Sequence, residues 1–146
     1  MLKEIDHIAI ATRDLEAALT TLKKMGDVTV GAYEAIGAPH WVKAVMVKLG
    51  GTPIELIQPT DPKSPVAAFI EKRGEGLQHI AYRVDNIDEA LQQAQAEGFR
   101  VIDAKPRHGY AASRIAFLHP KSTLGLLTEL VERKPGKDQA PYEMQG

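Results

Sequence analysis

Two kinds of apolar pattern alternate along the chain, and the alternation occurs twice. Residues 5–11 read IDHIAIA and residues 76–84 read GLQHIAYRV, apolar runs of strand length, each with a histidine set into it, His7 and His79. Behind each run, apolar residues fall at 15, 18, 19 and 22 or at 87, 90, 91 and 94, one face of an amphipathic helix. Asp14 and Asn86 stand where N-caps belong, and Asn86 with Glu89 resembles a capping box. Gly26 and Gly98 stand where glycine closes a helix. Strand-like pieces follow at 27–33, 41–49 and 52–58 in the first half, and at 99–103, 113–119 and 125–132 in the second. Each half therefore reads β-α-β-β-β. The bridge between them carries Pro59, Pro62 and Pro65, and Ser64 followed by Pro65 predicts a short helix over 65–73.

The two halves are copies. A shift of 72 positions lays His7 on His79, Asp14 on Asn86, Leu15 on Ile87, Leu19 on Leu91 and Gly26 on Gly98. The pattern thus predicts one α+β domain over 1–132, made of two tandem βαβββ modules (1–58 and 76–132) and a connector (59–75). The tail from 133 to 146 is polar and aperiodic, and is expected to be loosely ordered.

Composition narrows the function classes. At 146 residues and 44% hydrophobic content the chain has enough material for a core. A formal charge of −1 gives no electrostatic reason to expect nucleic acid or an anionic membrane as partner. No apolar run has membrane-spanning length, and Met1 leads into a strand pattern without a signal-peptide core, so a cytoplasmic protein is expected. Cysteine is absent, which excludes disulfides, thiolate metal sites and a cysteine nucleophile. P-loop, nucleophile-elbow and dinucleotide patterns are missing.

The candidate chemistry lies in the ionisable residues set into apolar strands. The last strand of each module carries one carboxylate, Glu55 within IEL and Glu129 within TELV, 48 and 50 positions after the matching histidine. By strict alternation His7 shares a face with Ile5, Ala9 and Ala11, and His79 with Leu77 and Ala81. Four such side chains brought to one concavity would be costly to bury unless a divalent cation paired with them. Mixed nitrogen and oxygen donors suit Mn, Fe, Co, Ni or Zn, and four protein ligands leave a six-coordinate ion open to substrate. A lone histidine in a strand is more often a hydrogen-bonded core residue, but here the arrangement occurs twice. His40 and His108 fall in loop-like stretches and read as surface residues, and His119 reads as a turn residue or a contact at a pocket rim. Lys105, Arg107, Arg114 and Lys121 read either as a solvated basic surface or as contacts for phosphate groups.

DHIAIA, the IEL segment, GLQHIAYRVDNIDEAL, SRIAFLHPKS and GLLTELVE resemble the vicinal oxygen chelate (glyoxalase/bleomycin resistance/dioxygenase) superfamily, and within it the methylmalonyl-CoA epimerases, over residues 3–132. The resemblance implies a glyoxalase-like cupped mixed sheet around one divalent ion held by His7, Glu55, His79 and Glu129. It also implies a homodimer and 1,1-proton transfer at the α-carbon of an acyl-CoA; for that chemistry Glu55 and Glu129, from opposite modules, are read here as the acid/base pair, and Arg114 and Lys121 as contacts for the CoA phosphates. Several epimerases carry an acid in the strand before IEL, where this chain has Ala44, and an amide at the position of Glu55. Loss of that acid leaves open a changed substrate or a loss of epimerisation. The alternatives within the superfamily are a lactoylglutathione-lyase-like isomerase, extradiol ring cleavage and non-catalytic small-molecule binding. A fourth ligand would occupy a position that ring cleavage needs, and the binding proteins typically lack the full set.

Overall fold

The two amphipathic segments form helices α1 (Leu15–Met25) and α3 (Ile87–Ala96), and the connector forms α2 (Pro65–Arg73). A computed structural model of the chain describes residues 1–134. Each predicted N-cap is made: Asp14 Oδ1 accepts from the Ala17 amide at 3.0 Å, Asn86 Oδ1 from Glu89 at 3.1 Å, and Ser64 Oγ from Val66 at 3.2 Å. Gly98 adopts φ +88 just past α3, as a closing glycine should. Gly26 instead has extended backbone; its missing Cβ leaves room for Leu49, whose Cδ1 would otherwise stand 3.2 Å away.

The strands are β1 (Glu4–Ala11), β2 (Thr29–Ile36), β3 (Val42–Lys48), β4 (Pro53–Pro59), β5 (Gly76–Arg83), β6 (Arg107–His108), β7 (Arg114–Leu118) and β8 (Leu127–Glu132). They form one mixed sheet in the order β2-β3-β4-β1-β5-β8-β7-β6. The order shows the repeat directly. Each module pairs its first strand in parallel with its last, and the first strands β1 and β5 join the modules antiparallel. On one side α1 packs Leu15 and Leu19 against Val45, Val47 and Leu56, while α3 packs Ile87, Ala90 and Leu91 against Ala116, Leu118 and Leu130. Burying each such Leu or Ile stabilises the fold by about 1.5–3 kcal/mol. The other face is concave. At one end α2 covers it, setting Val66 and Ile70 over Ala9, Ala11, Ala44 and Ile57.

Three expectations change. The predicted strand at 99–103 is reduced to a single bridge, Val101 to Leu118. Asp103 explains why: its carboxylate accepts the Phe117 amide at 2.9 Å, so a side chain takes the place of a strand partner's carbonyl, and pairing resumes only at Arg107. Strict alternation also fails. Asp6 in β1 and Gln78 in β5 are each an extra residue in the ladder, which places Ile5 beside Tyr82 and Leu77 beside Ile10, off the face that carries the histidines. Finally, ordered contacts run past 132, because the Arg133 side chain is buried against Asp6. The rest of the expected loose tail, residues 135–146, lies outside the described residues. Among the described residues no helix is long and apolar enough to cross a membrane.

Candidate metal centre and active site

The two bulges orient the histidines. A bulge lets two successive side chains approach the same side of a sheet, so Asp6 comes to lie against His7 and Gln78 against His79. His7 Nδ1–H donates to Asp6 Oδ1 at 2.6 Å, and His79 Nδ1–H donates to Gln78 Oε1. With Nδ1 carrying the proton, each Nε2 presents a lone pair to the concave face. The rings meet edge to face with centroids 5.6 Å apart.

The carboxylates arrive by register. Ala9 pairs with His79 on one side and Glu55 on the other; Ala81 pairs with His7 and Glu129. Each alanine therefore lies in register between a histidine of one module and a carboxylate of a neighbouring strand. Glu55 Oε1 lies 3.8 Å from both Nε2 atoms, and Glu129 comes within 3.8 Å of His7 Nε2 and 3.1 Å of His79 Nε2. All four residues are buried. Neither Nε2 has a hydrogen-bond partner of proper geometry. Two orphaned imidazole nitrogens facing two buried carboxylates fit a divalent cation, and the donor atoms of His7, His79 and Glu129 lie within 4.8 Å of one another.

Charge is distributed unevenly here. Burial pushes the Glu55 carboxyl up, against the pull of His7 and His79. Burial acts the same way on Glu129, but the adjacent His79 and then His7 outweigh it and hold that carboxyl below its usual range. For His7 burial disfavours the imidazolium, yet Glu55, Asp6 and Glu129 together raise its pKa.

Asp6 sits at the centre of the supporting network. Arg133 Nε and Nη2 donate to its carboxylate at 3.1 and 2.6 Å, Arg83 adds two contacts of 3.2 Å, and Arg133 Nη1 reaches the Tyr110 carbonyl at 3.0 Å. Neither Asp6, Gln78 nor Arg133 was singled out by sequence reasoning. The signal available was the dipeptide before each strand's IA, Asp-His in one copy and Gln-His in the other, a polar residue twice preceding the buried histidine.

The site opens into a cavity of about 150 Å³ whose walls include Val42, Ile57, Val66, Ile115, Phe117 and Leu127. Of the basic residues expected near it, Arg107 reaches the wall and is held by Asp103 at 2.8 Å. Arg114 does not: it is paired at 3.1 Å with both Asp88 and Glu132, beside the start of α3. Lys121 is exposed on a 3-10 turn, where its amide donates to His119 Nδ1 at 3.0 Å. His119 is thus a turn residue, and it also borders a shallower groove that shares Pro65, Gln78, Ile102 and Leu127 with the cavity. His108 is exposed as expected, but His40 is half-buried: it lines the cavity with its Nε2 buried. Ala44 is fully buried in the apolar layer that also holds Ala11, Ile57, Val66 and Ile70.

A cupped sheet of paired βαβββ modules around a His/Glu donor set defines a superfamily architecture. Residues 6–117 match the model of the glyoxalase/bleomycin resistance protein/dioxygenase superfamily, and the chain belongs to that superfamily. Relatives within it point further. The chain is 37% identical to the mitochondrial methylmalonyl-CoA epimerase of Dictyostelium discoideum, covering 89% of this chain and 78% of that one. It is also 37% identical to the ethylmalonyl-CoA/methylmalonyl-CoA epimerase of Cereibacter sphaeroides, covering 89% and 98%. A solved methylmalonyl-CoA epimerase in complex with methylmalonyl-CoA and NH4+ superposes with a TM-score of 0.86 at 35% identity, covering 92% of this chain and 97% of that one. The epimerase of Mycobacterium tuberculosis gives 0.86 at 33% identity, covering 92% and 91%.

Proposed function

We propose that this protein is a divalent-metal-dependent epimerase that inverts the α-carbon of a methylmalonyl-CoA-like thioester. The observation that carries the reading is the convergence of two unpartnered imidazole nitrogens with Glu55 and Glu129 in one cavity. The kinship with methylmalonyl-CoA epimerases over 89% of the chain supplies the substrate class.

His7, His79 and Glu129 would hold the cation, with Glu55 available as a fourth donor. A bound Mn, Fe, Co, Ni or Zn ion supplies Lewis-acid stabilisation of the negative charge that develops on substrate oxygen. The Asp6 and Gln78 contacts keep each Nε2 lone pair aimed inward. Inversion requires one group to remove the α-proton on one face and another to return a proton on the opposite face. The carboxylates of Glu55 and Glu129, one from each module, form a pair that supplies one of these groups, and their environments shift them in opposite directions. Phe117, Ile115 and Val66 exclude water around them. Arg107 lies on the cavity wall, where it meets an anionic group of the substrate, and the adjoining groove, bordered by Lys72, Arg73 and His119, takes the CoA arm.

The test is α-proton exchange of methylmalonyl-CoA by metal-loaded protein in deuterated water, with methylglyoxal plus glutathione as a parallel assay. Wild type exchanges and epimerises the thioester and leaves the hemithioacetal untouched; Glu55→Gln and Glu129→Gln each lose about 10²–10⁴-fold. No exchange by wild type, or normal exchange by both variants, overturns the reading.

A further inference from the structure

His40 combines features that neither the metal centre nor the core uses. It lies in the turn between β2 and β3 of the first module, yet its ring packs 6.4 Å from Phe117 on β7 of the second. Phe117 in turn stacks edge-on against His79 at 5.3 Å. The turn therefore crosses the mouth of the cup and brings an imidazole to the cavity wall near the carboxylate floor. Nε2 of that imidazole is buried without a hydrogen-bond partner among the described residues. A buried ring nitrogen with nothing to bond carries an uncompensated desolvation cost, which an occupant of the cavity would relieve.

Backbone hydrogen bonds tie the turn down. The amides of His40 and Trp41 both donate to the Gly37 carbonyl, at 2.9 and 3.0 Å, and the Trp41 carbonyl accepts from Thr60 at 2.8 Å. Trp41 itself sits at φ +44, a conformation that a bulky side chain rarely adopts, and Lys63 lies over its ring at 5.5 Å. Strain of this kind persists only where surrounding contacts enforce it, and it gathers where a side chain must be aimed. Burial and the nearby Arg107 charge lower the pKa of the His40 imidazole, so it meets a substrate as a neutral base.

We infer that His40 transfers the α-proton on one face of the substrate carbon, with the Glu55–Glu129 pair serving the other face. This inference rests on the epimerase reading above. In the forward step the α-carbon–hydrogen bond breaks, its proton bonds to His40 Nε2, and its electron pair delocalises into the thioester as an enolate. A proton from the carboxyl pair then bonds to the opposite face of the carbon. His40 is left protonated and the pair one proton short, and the reverse direction or exchange with water restores both. The β2–β3 turn thus delivers a proton-transfer group where the chain carries only the methyl of Ala44.

Solvent-deuterium wash-in from each methylmalonyl-CoA enantiomer separately, with metal-loaded His40→Gln, tests the assignment. Epimerisation falls about 10²–10⁴-fold in both directions. Wash-in is lost from the enantiomer whose hydrogen faces His40 and is retained, without inversion, from the other. A merely structural role would not produce that one-sided loss. Epimerisation within threefold of wild type overturns the inference. If exchange is lost from both enantiomers, added imidazole with His40→Ala decides: restored exchange supports the assignment and its absence overturns it. Wild-type protein run beside the variants separates the two levels, since wild type that exchanges neither enantiomer defeats the epimerase reading itself.

Discussion

Replacing Asp6 by asparagine tests the buried network most directly. Asparagine keeps the shape and an oxygen that accepts from His7 Nδ1 and Arg133 Nη2, but it removes the charge and sets an amide N–H where Oδ2 accepted from Arg133 Nε and Arg83. Asp6 is fully buried and the Arg133 side chain is 2% exposed, while Arg83 is 19% exposed and can turn to water. The cost therefore concentrates on Arg133, whose buried guanidinium loses its counter-charge. Removing one partner of such a pair costs about 3–5 kcal/mol. For a domain of this size that corresponds to a drop in Tm of about 10–15 °C. The assay is urea and thermal unfolding at pH 7 in chelator, so that metal affinity does not contribute. Asp6→Asn combined with Arg133→Met should recover about 2 kcal/mol relative to the sum of the single variants. The pH dependence has a definite sign. Burial opposes the Asp6 charge, but His7 and Arg133 outweigh it and hold the carboxyl far below the usual carboxylate range. The stabilisation is therefore complete above the unfolded carboxyl's pKa of about 3.9 and is lost as pH falls below it toward the depressed folded value. Wild type should lose stability faster than Asp6→Asn in that acid range. A loss under about 1 kcal/mol for Asp6→Asn, or additivity of the two substitutions, would refute the account of the pair.

Gln78→Ala should weaken cobalt binding about 10–100-fold while leaving the fold intact, because His79 loses the acceptor that sets its tautomer; unchanged affinity in a metal titration counts against that role. Gly109→Ala places a Cβ 2.7 Å from Ile115 Cγ2 and 2.9 Å from Ser113 Oγ. It should cost about 1–3 kcal/mol in urea unfolding, and an unaltered midpoint would show that the turn yields freely. Tyr110 donates to the Ala32 carbonyl at 2.6 Å, and burial, reinforced by the Glu34 charge, pushes its phenol up to about 12. Its stabilising effect is complete below about pH 10 and declines as pH rises from there to about 12, a decline that Tyr110→Phe should abolish in unfolding curves taken across that window.

Periodicity and the 72-residue repeat predicted both modules, their three N-caps and the connector helix, because helical spacing, capping residues and an N1 proline act within a few residues of each other. The same repeat singled out His7, Glu55, His79 and Glu129, since an ionisable residue twice embedded in an apolar strand stands out without any knowledge of distance. Other features depended on long-range register. Whether Ile5 shares a face with His7 is decided by how β1 pairs with β5, and the extra residues Asp6 and Gln78 reversed the answer. Arg133 looked like the start of a polar tail, because its partner Asp6 lies 127 positions away.

The amino-acid order thus determined the module plan and the four candidate ligands, since each rests on local spacing and on a copy that repeats it. Tertiary structure alone decided that Asp6 and Gln78 orient the histidines, that Arg114 faces Asp88 and Glu132 rather than the cavity, and that His40 reaches across to Phe117. Those outcomes depend on side chains far apart in the chain meeting in a fixed register, and spacing along one strand carries no information about what a second strand will present.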